Sequence, residues 1–167
     1  ELHRNGIRVI FDGVFNHSSN RHWSFNQVLM EGENSKYKNW YKFSDFSKHI
    51  KIEEGMSEEE AYKILNKNRE NIKYSGWAGF DSLPEFNSYN LEFKNYIFNI
   101  TKKWLLGPDA EVSKNWYEDD GIDGFRLDVP NCLENQDFWI EWREVVKSTK
   151  KDTYITAELW GNASYDI

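Results

Sequence analysis

The sequence predicts the α/β class, as part of a TIM-type (β/α)8 barrel carrying an inserted subdomain, from three observations. Short β-branched apolar runs at Ile7–Phe11, Ile122–Asp128 and Tyr154–Leu159 have the near-continuous hydrophobicity of parallel strands buried on both faces. A helical pattern separates the second run from the third, as strand–helix alternation requires. Asp128 and Glu158 stand at the ends of those two runs, 30 positions apart. One strand–helix unit of an eightfold barrel averages about 31 residues.

Each element has its own local reason. Glu1–Asn5 reads as the last turn of a helix closed by Gly6, with no start for that helix in view, so the chain reads as a piece of something larger. Ile7–Phe11 then runs into Asp12. From Gly13 to about Gly79 the residues are polar and aromatic with little periodicity, except near Ser57–Arg69. There Ser57 and Glu60 form a capping box, and Ala61, Ile64 and Leu65 share one face of a predicted helix. Asn90 is placed to cap a longer helix in which Phe93, Ile97, Ile100 and Trp104 recur at helical spacing, ended by Gly107-Pro108. After the second strand, roughly Gln136–Ser148 is amphipathic with Phe138, Trp142 and Val145 inward. Asp12 and Asp128 are 116 positions apart, about 85 more than one barrel unit needs. The expected division is therefore a partial barrel at 1–12 and 89–167 and an inserted subdomain at 13–88, on the kind of loop where barrel enzymes build their sites.

Composition narrows the function. The 167 residues are 39% apolar, enough for one core, and 17% aromatic with eight Trp. Most such rings are expected in the core, although aromatic faces also suit sugars. A net charge of −7 and a pI near 5.2 argue against nucleic acid, since no basic patch is available for phosphates. No apolar run approaches the length of a membrane span, and Glu1 opens no signal-peptide pattern. The single Cys132 excludes an internal disulfide and a thiolate metal cluster, and reads as a buried structural thiol. Glu118-Asp119-Asp120 reads as a solvated loop, and Glu58-Glu59-Glu60 as acidic residues favoured at a helix N-terminus.

Asp128 and Glu158 are the candidate chemical pair. Carboxyl ends of adjacent barrel strands lie about 4.8 Å apart, close to the roughly 5–5.5 Å separation of the nucleophile and acid/base of a retaining glycosidase. Arg126, two residues before Asp128 on the same strand face, can keep that carboxylate ionised. Trp160, two residues after Glu158, is expected to supply an apolar wall that raises the pKa of the acid.

Four segments, in order, resemble the α-amylase family of glycoside hydrolases. Asp12-Gly-Val-Phe-Asn16-His17 is similar to the block ending the family's third barrel strand. Ser82-Leu-Pro-Glu85-Phe-Asn87 resembles a block near the end of its inserted domain. Gly124-Phe-Arg126-Leu-Asp128 and Ala157-Glu158-Leu-Trp160 resemble the blocks on its fourth and fifth strands. Two positions depart from the usual pattern, Phe86 where Leu is common and Glu85 where Asp or Lys is more usual, while the branch of neopullulanases, cyclomaltodextrinases and amylopullulanases is closest in pattern. The resemblance implies a retaining α-glucan hydrolase, or a transglycosylase sharing its covalent intermediate. It makes Asp128 the nucleophile and Glu158 the acid/base, gives His17 a hydrogen bond to the sugar, and places Arg126, Trp160 and Asn131 at the substrate. Asp12 and Asn87 become supporting residues, and Asn16 a candidate ligand for calcium. The implied partners are an α-glucan and the remainder of a parent barrel, with no organic cofactor, nucleic acid or membrane. The family setting leans extracellular or cell-surface, and its third acid lies outside these residues. A non-catalytic relative would be expected to lack one of the two carboxylates, and both are present.

Overall fold

The computed structural model describes residues 1–45, 55–68, 72–108, 118 and 120–160. Its elements are β1 (Ile10–Gly13), α1 (Trp23–Glu31), β2 (Phe43–Asp45), α2 (Glu58–Asn68), β3 (Lys73–Tyr74), α3 (Leu91–Leu106), β4 (Gly124–Leu127), α4 (Asp137–Thr149) and β5 (Tyr154–Ala157), with short 3-10 turns between. Two compact units result: Glu1–Phe15 with Leu91–Ile167, and Asn16–Asn90. Arg69, Asp119 and the Leu65 side chain, named in the expectations above, lie outside the described residues.

The first unit is built on a parallel sheet in the order β1-β4-β5. Its register aligns Asp12 with Arg126 and Thr156, and Gly13 with Leu127 and Ala157. Gly124 permits the close approach of β5, because a Cβ there would lie 2.5 Å from the Tyr154 carbonyl oxygen. The helices α3 and α4 pair through Phe98 against Phe138, with ring centroids 5.5 Å apart, and through Trp142 Nε1 donating to Thr101 Oγ1 at 2.9 Å. Gly6 closes the N-terminal turn at φ 76°, its N–H on the His3 carbonyl, as its position in the sequence suggests.

Several boundaries differ from the expectation. The first strand begins at Ile10, not Ile7, because the Asp123 carboxylate takes the Val9 N–H at 2.7 Å and holds His3 Nε2 at 2.7 Å. On α3 the buried stripe is Phe93, Ile97, Thr101 and Leu105, a repeat of four. Ile100 is therefore only half-buried, and Trp104 is half-exposed with its ring edge-on to Phe11 at 4.9 Å. The same repeat buries Val146, rather than Val145, on α4. Cys132 is exposed rather than buried, since it sits in the 3-10 turn Pro130–Cys132 after β4.

The second unit pairs β2 with β3 antiparallel, Phe43 opposite Tyr74. Phe25, fully buried on α1, meets Tyr41, Phe43 and Tyr74 with centroids 5.1, 5.8 and 5.0 Å away. This aromatic core explains why α1 is absent from the expected elements: its apolar residues are spread among polar ones, and its N-cap is His22, whose side chain accepts from Ser24 N–H. The capping box on α2 forms as expected. Ser57 Oγ donates to Glu60 Oε2 at 2.7 Å and Ser57 N–H at 3.1 Å, which hold the Glu60 carboxyl below its ordinary pKa, while Glu60 N–H reaches Ser57 Oγ at 3.3 Å.

Candidate active site

The parallel ladder sets the geometry. Beyond the last paired residues, Asp128 N–H donates to the Gly13 carbonyl at 3.1 Å and Glu158 N–H to the Leu127 carbonyl at 2.9 Å. Both carboxylates thus leave the sheet at the carboxyl ends of neighbouring strands. Arg126 lies one pleat below and gathers them. Its Nη1 donates to Asp12 Oδ1 at 2.7 Å and Asp128 Oδ1 at 2.9 Å, while Nη2 meets Glu158 Oε1 at 2.6 Å. One guanidinium, a planar fork, thereby ties together three strands. The Asp12 hydrogen bond, followed by that of Asp128, raises the Arg126 pKa above its ordinary value. Asp12 orients Arg126, the arrangement expected from a carboxylate that can only accept.

Val129 completes the turn after Asp128. It is buried and left-handed, at φ 35° and ψ 53°, a conformation unusual for a β-branched residue and costing on the order of 1–3 kcal/mol. That bend aims its N–H at the Glu158 carboxylate. No sequence signal marks this role, because Val is the residue type least expected there.

The expected effect of Trp160 is corrected. Its side chain does not wall Glu158 with apolar surface. It is 68% exposed and donates a hydrogen bond to the carboxylate, which is the foremost reason the Glu158 pKa lies below its ordinary value. Partial desolvation pushes the other way, and Arg126, Asp128 and the Val129 N–H add to the lowering. A donor and a cation at the carboxylate outweigh a half-buried setting.

In the second unit His17 is buried, forms a bridge opposite Glu85, and stacks on Trp77 with centroids 5.1 Å and planes 18° apart. Asn87 donates to the Asn39 carbonyl at 3.2 Å and accepts from Tyr89 N–H at 3.2 Å, so its amide braces the local loop. Glu85 pairs with Lys42 at 3.3 Å. Asn16 is buried, with its amide nitrogen 3.4 Å from His17 Nδ1. Calcium takes six to eight oxygens, usually including carboxylates. No group of three or more His, Cys, Asp and Glu able to hold a metal occurs among the described residues. Asn16 therefore has no such group beside it among the described residues. Asn131 is exposed in the turn after Val129.

Arg126 with its three carboxylates sits within a chain-length match to one family: the profile "Alpha amylase, catalytic domain" covers residues 1–166. The chain belongs to the alpha-amylase family. Among its relatives, neopullulanase 2 of Thermoactinomyces vulgaris is 33% identical over 164 residues, covering 98% of this chain and 23% of the relative. Amylopullulanase of Thermoanaerobacterium saccharolyticum is 32% identical over 177 aligned residues, covering 100% and 12%. The native debranching enzyme of Nostoc punctiforme superimposes with a TM-score of 0.70 at 35% identity, covering 95% of this chain and 27% of that one. The chain thus spans about a quarter or less of these relatives, and the parallel sheet is part of the family's TIM barrel.

Proposed function

We propose that this chain is the nucleophile and acid/base segment of a retaining α-glucan hydrolase. Asp128 would attack the anomeric carbon to form a glycosyl ester, and Glu158 would protonate the leaving oxygen and then activate water. The observation that carries this reading is Arg126 bound at once to Asp128 and Glu158. A single guanidinium spanning both carboxylates favours the close spacing of about 5–5.5 Å that retention uses over the roughly 6.5–9.5 Å that leaves room for water in inversion. Asp12 holds the same guanidinium from β1, so Arg126 does not swing away when a sugar enters.

The lowered pKa of Glu158 sets a requirement on the cycle. To act as an acid it must gain a proton when substrate binds. A sugar displacing water would strengthen the desolvation that already pushes the pKa upward, and competition for the Trp160 N–H would remove the chief opposing cause. The reading gives His17 a hydrogen bond to the bound sugar. Neopullulanase and amylopullulanase, the names of two relatives, point to pullulan and related α-1,4 and α-1,6 glucans as substrates.

The test is the anomeric form of the first product released by the full-length protein from maltooligosaccharides or pullulan, followed by NMR before mutarotation. Retained α product with a glycosyl adduct trapped on Asp128 supports the reading. Initial β product overturns it. Transfer to an added sugar acceptor, in place of water, would identify the transglycosylase outcome.

A further inference from the structure

Nothing in the local sequence favours the left-handed bend at Val129. The residue is β-branched and stands before Pro130, and both features disfavour its φ of 35° and ψ of 53°. Such a conformation persists only where its surroundings hold it. On one side the Asp128 N–H is tied to the Gly13 carbonyl at 3.1 Å. On the other, the Trp139 indole N–H donates to the Pro130 carbonyl at 2.9 Å, reaching back nine positions along the chain.

Trp139 is the third residue of α4 and half-buried, and its ring is packed among others of the same unit. Phe138 and Trp142 lie edge-on to it with centroids 5.1 and 5.8 Å away, and Phe15 is tilted against it at 6.2 Å. Phe15 follows β1, and a Cβ on Gly13 would lie 3.1 Å from its ring. The two clamps on the bend therefore meet: Gly13 holds Asp128, Phe15 packs on Trp139, and Trp139 holds Pro130. Leu133 N–H also reaches the Pro130 carbonyl, at 3.2 Å, but it belongs to the same turn and moves with it. The indole ties that carbonyl to α4.

We propose that Trp139 is a positioning residue for the acid/base carboxylate: its indole N–H fixes the Pro130 carbonyl, and with it the bend that aims the Val129 N–H at Glu158. The proposal rests on the reading of Glu158 as the acid/base. Among the causes that hold Glu158 below its ordinary pKa, the Trp160 hydrogen bond is foremost and the Val129 N–H adds to it. Released from the indole, Val129 relaxes toward the extended backbone that a residue before proline favours, and its N–H leaves the carboxylate. Losing a donor to the charged form raises the pKa. The charged groups at that carboxylate, Arg126 with Asp12 behind it and Asp128, stay in place.

The experiment compares the full-length protein with two variants, Trp139→Phe and the replacement of Trp139 by its isostere benzothienylalanine, which keeps the fused rings and lacks the N–H. Thr101→Val is the control, because it takes the acceptor from the Trp142 indole on the same helix and leaves the bend alone. The pH profile of kcat/KM on maltooligosaccharides is recorded beside thermal melting. Both Trp139 variants should lose about 3- to 10-fold in kcat/KM at the pH optimum, the scale of one hydrogen bond. The alkaline limb, which reports the acid of the free enzyme, should move to higher pH in both. Thr101→Val should melt at a lower temperature and keep the limb where it is. An unmoved limb in the isostere variant, or an equal shift in Thr101→Val, overturns the positioning role. A wild-type alkaline limb in the residual activity of Glu158→Gln instead overturns the underlying reading of Glu158, so the two failures are distinguishable.

Discussion

Arg126 and Glu158 meet end to end across neighbouring strands, Nη2 to Oε1 at 2.6 Å. The contact uses one prong of a fork whose other prong holds Asp12 and Asp128. Lysine offers the same charge as a single point on a flexible stem, so it cannot serve the three carboxylates from two fixed nitrogens. Arg126→Lys in the full-length protein should therefore retain the fold and lose on the order of 100-fold in kcat, the scale of a small misplacement of reacting groups. Steady-state kinetics beside a circular dichroism spectrum checks this. Turnover within a few-fold of wild type would mean that charge alone, and not the fork, organises the site.

The two carboxylates should separate by leaving group. Asp128→Asn keeps the shape of the side chain and removes its capacity to form the ester, so kcat should fall by roughly 10⁴-fold or more on every substrate. Glu158→Gln removes only the proton donor and the later base. An activated glycoside with a good leaving group should still release that group in a first-step burst, because it needs little protonation. Equal loss of the burst for natural and activated substrates would take the acid role from Glu158.

Much of this site is legible from residue spacing, and the limits are physical. The 30-position interval between Asp128 and Glu158 works because parallel register repeats with the strand–helix unit, and the ladder duly continues into both residues. Arg126 is readable because two positions along a strand share a face. Trp160 shows the opposite case: the same-face rule locates the residue correctly, but not whether ring or N–H meets the carboxylate, and that choice reverses the sign of the pKa shift. In the second unit, α1, the Phe43–Tyr74 pairing and the His17–Trp77 stack depend on partners far apart in sequence. A Trp in Gly-Trp-Ala-Gly just upstream of the Ser82–Asn87 block was the available signal for Trp77.

His22 gives the second unit a dependence on pH. Its Nδ1 faces Ser24 Oγ at 2.8 Å and the Ser24 N–H at 3.4 Å, and burial lowers its pKa from 6.5. The groups that touch it, the Ser24 and Tyr41 hydroxyls and the rings of Trp23 and Phe86, carry no charge to favour imidazolium. The unfolded chain therefore takes up a proton at a higher pH than the folded one. Stability is complete above about pH 6.5 and declines as pH falls from there toward the lower folded value. Amide exchange in α1 should quicken over that window. His22→Asn keeps an N-cap acceptor without titrating there, so it should flatten the response, whereas His22→Ala should cost about 1 kcal/mol at pH 8. Identical pH profiles in wild type and His22→Asn would remove the residue from this role.

Residues 1–167 by themselves should neither stay monomeric nor catalyse. Among the described residues, β1 and β5 each have a strand on one side only, and parallel sheets are stable when both faces and edges are covered. Ile10 at 48% exposure, Trp104 at 50% and Tyr154 at 55% present large apolar side chains to water, and Leu2, Val9, Phe11 and Ile122 help line a cleft of about 490 Å³. Such surface favours association through strand edges. The rate enhancement expected of Asp128 and Glu158 also depends on groups acting as a unit, which the resemblance extends to a third acid beyond these residues. Sedimentation should show oligomers or aggregates, and assays on starch and pullulan should release no reducing sugar above background. A clean monomer would overturn the edge argument, and robust hydrolysis would show that the groups gathered by Arg126 suffice for turnover.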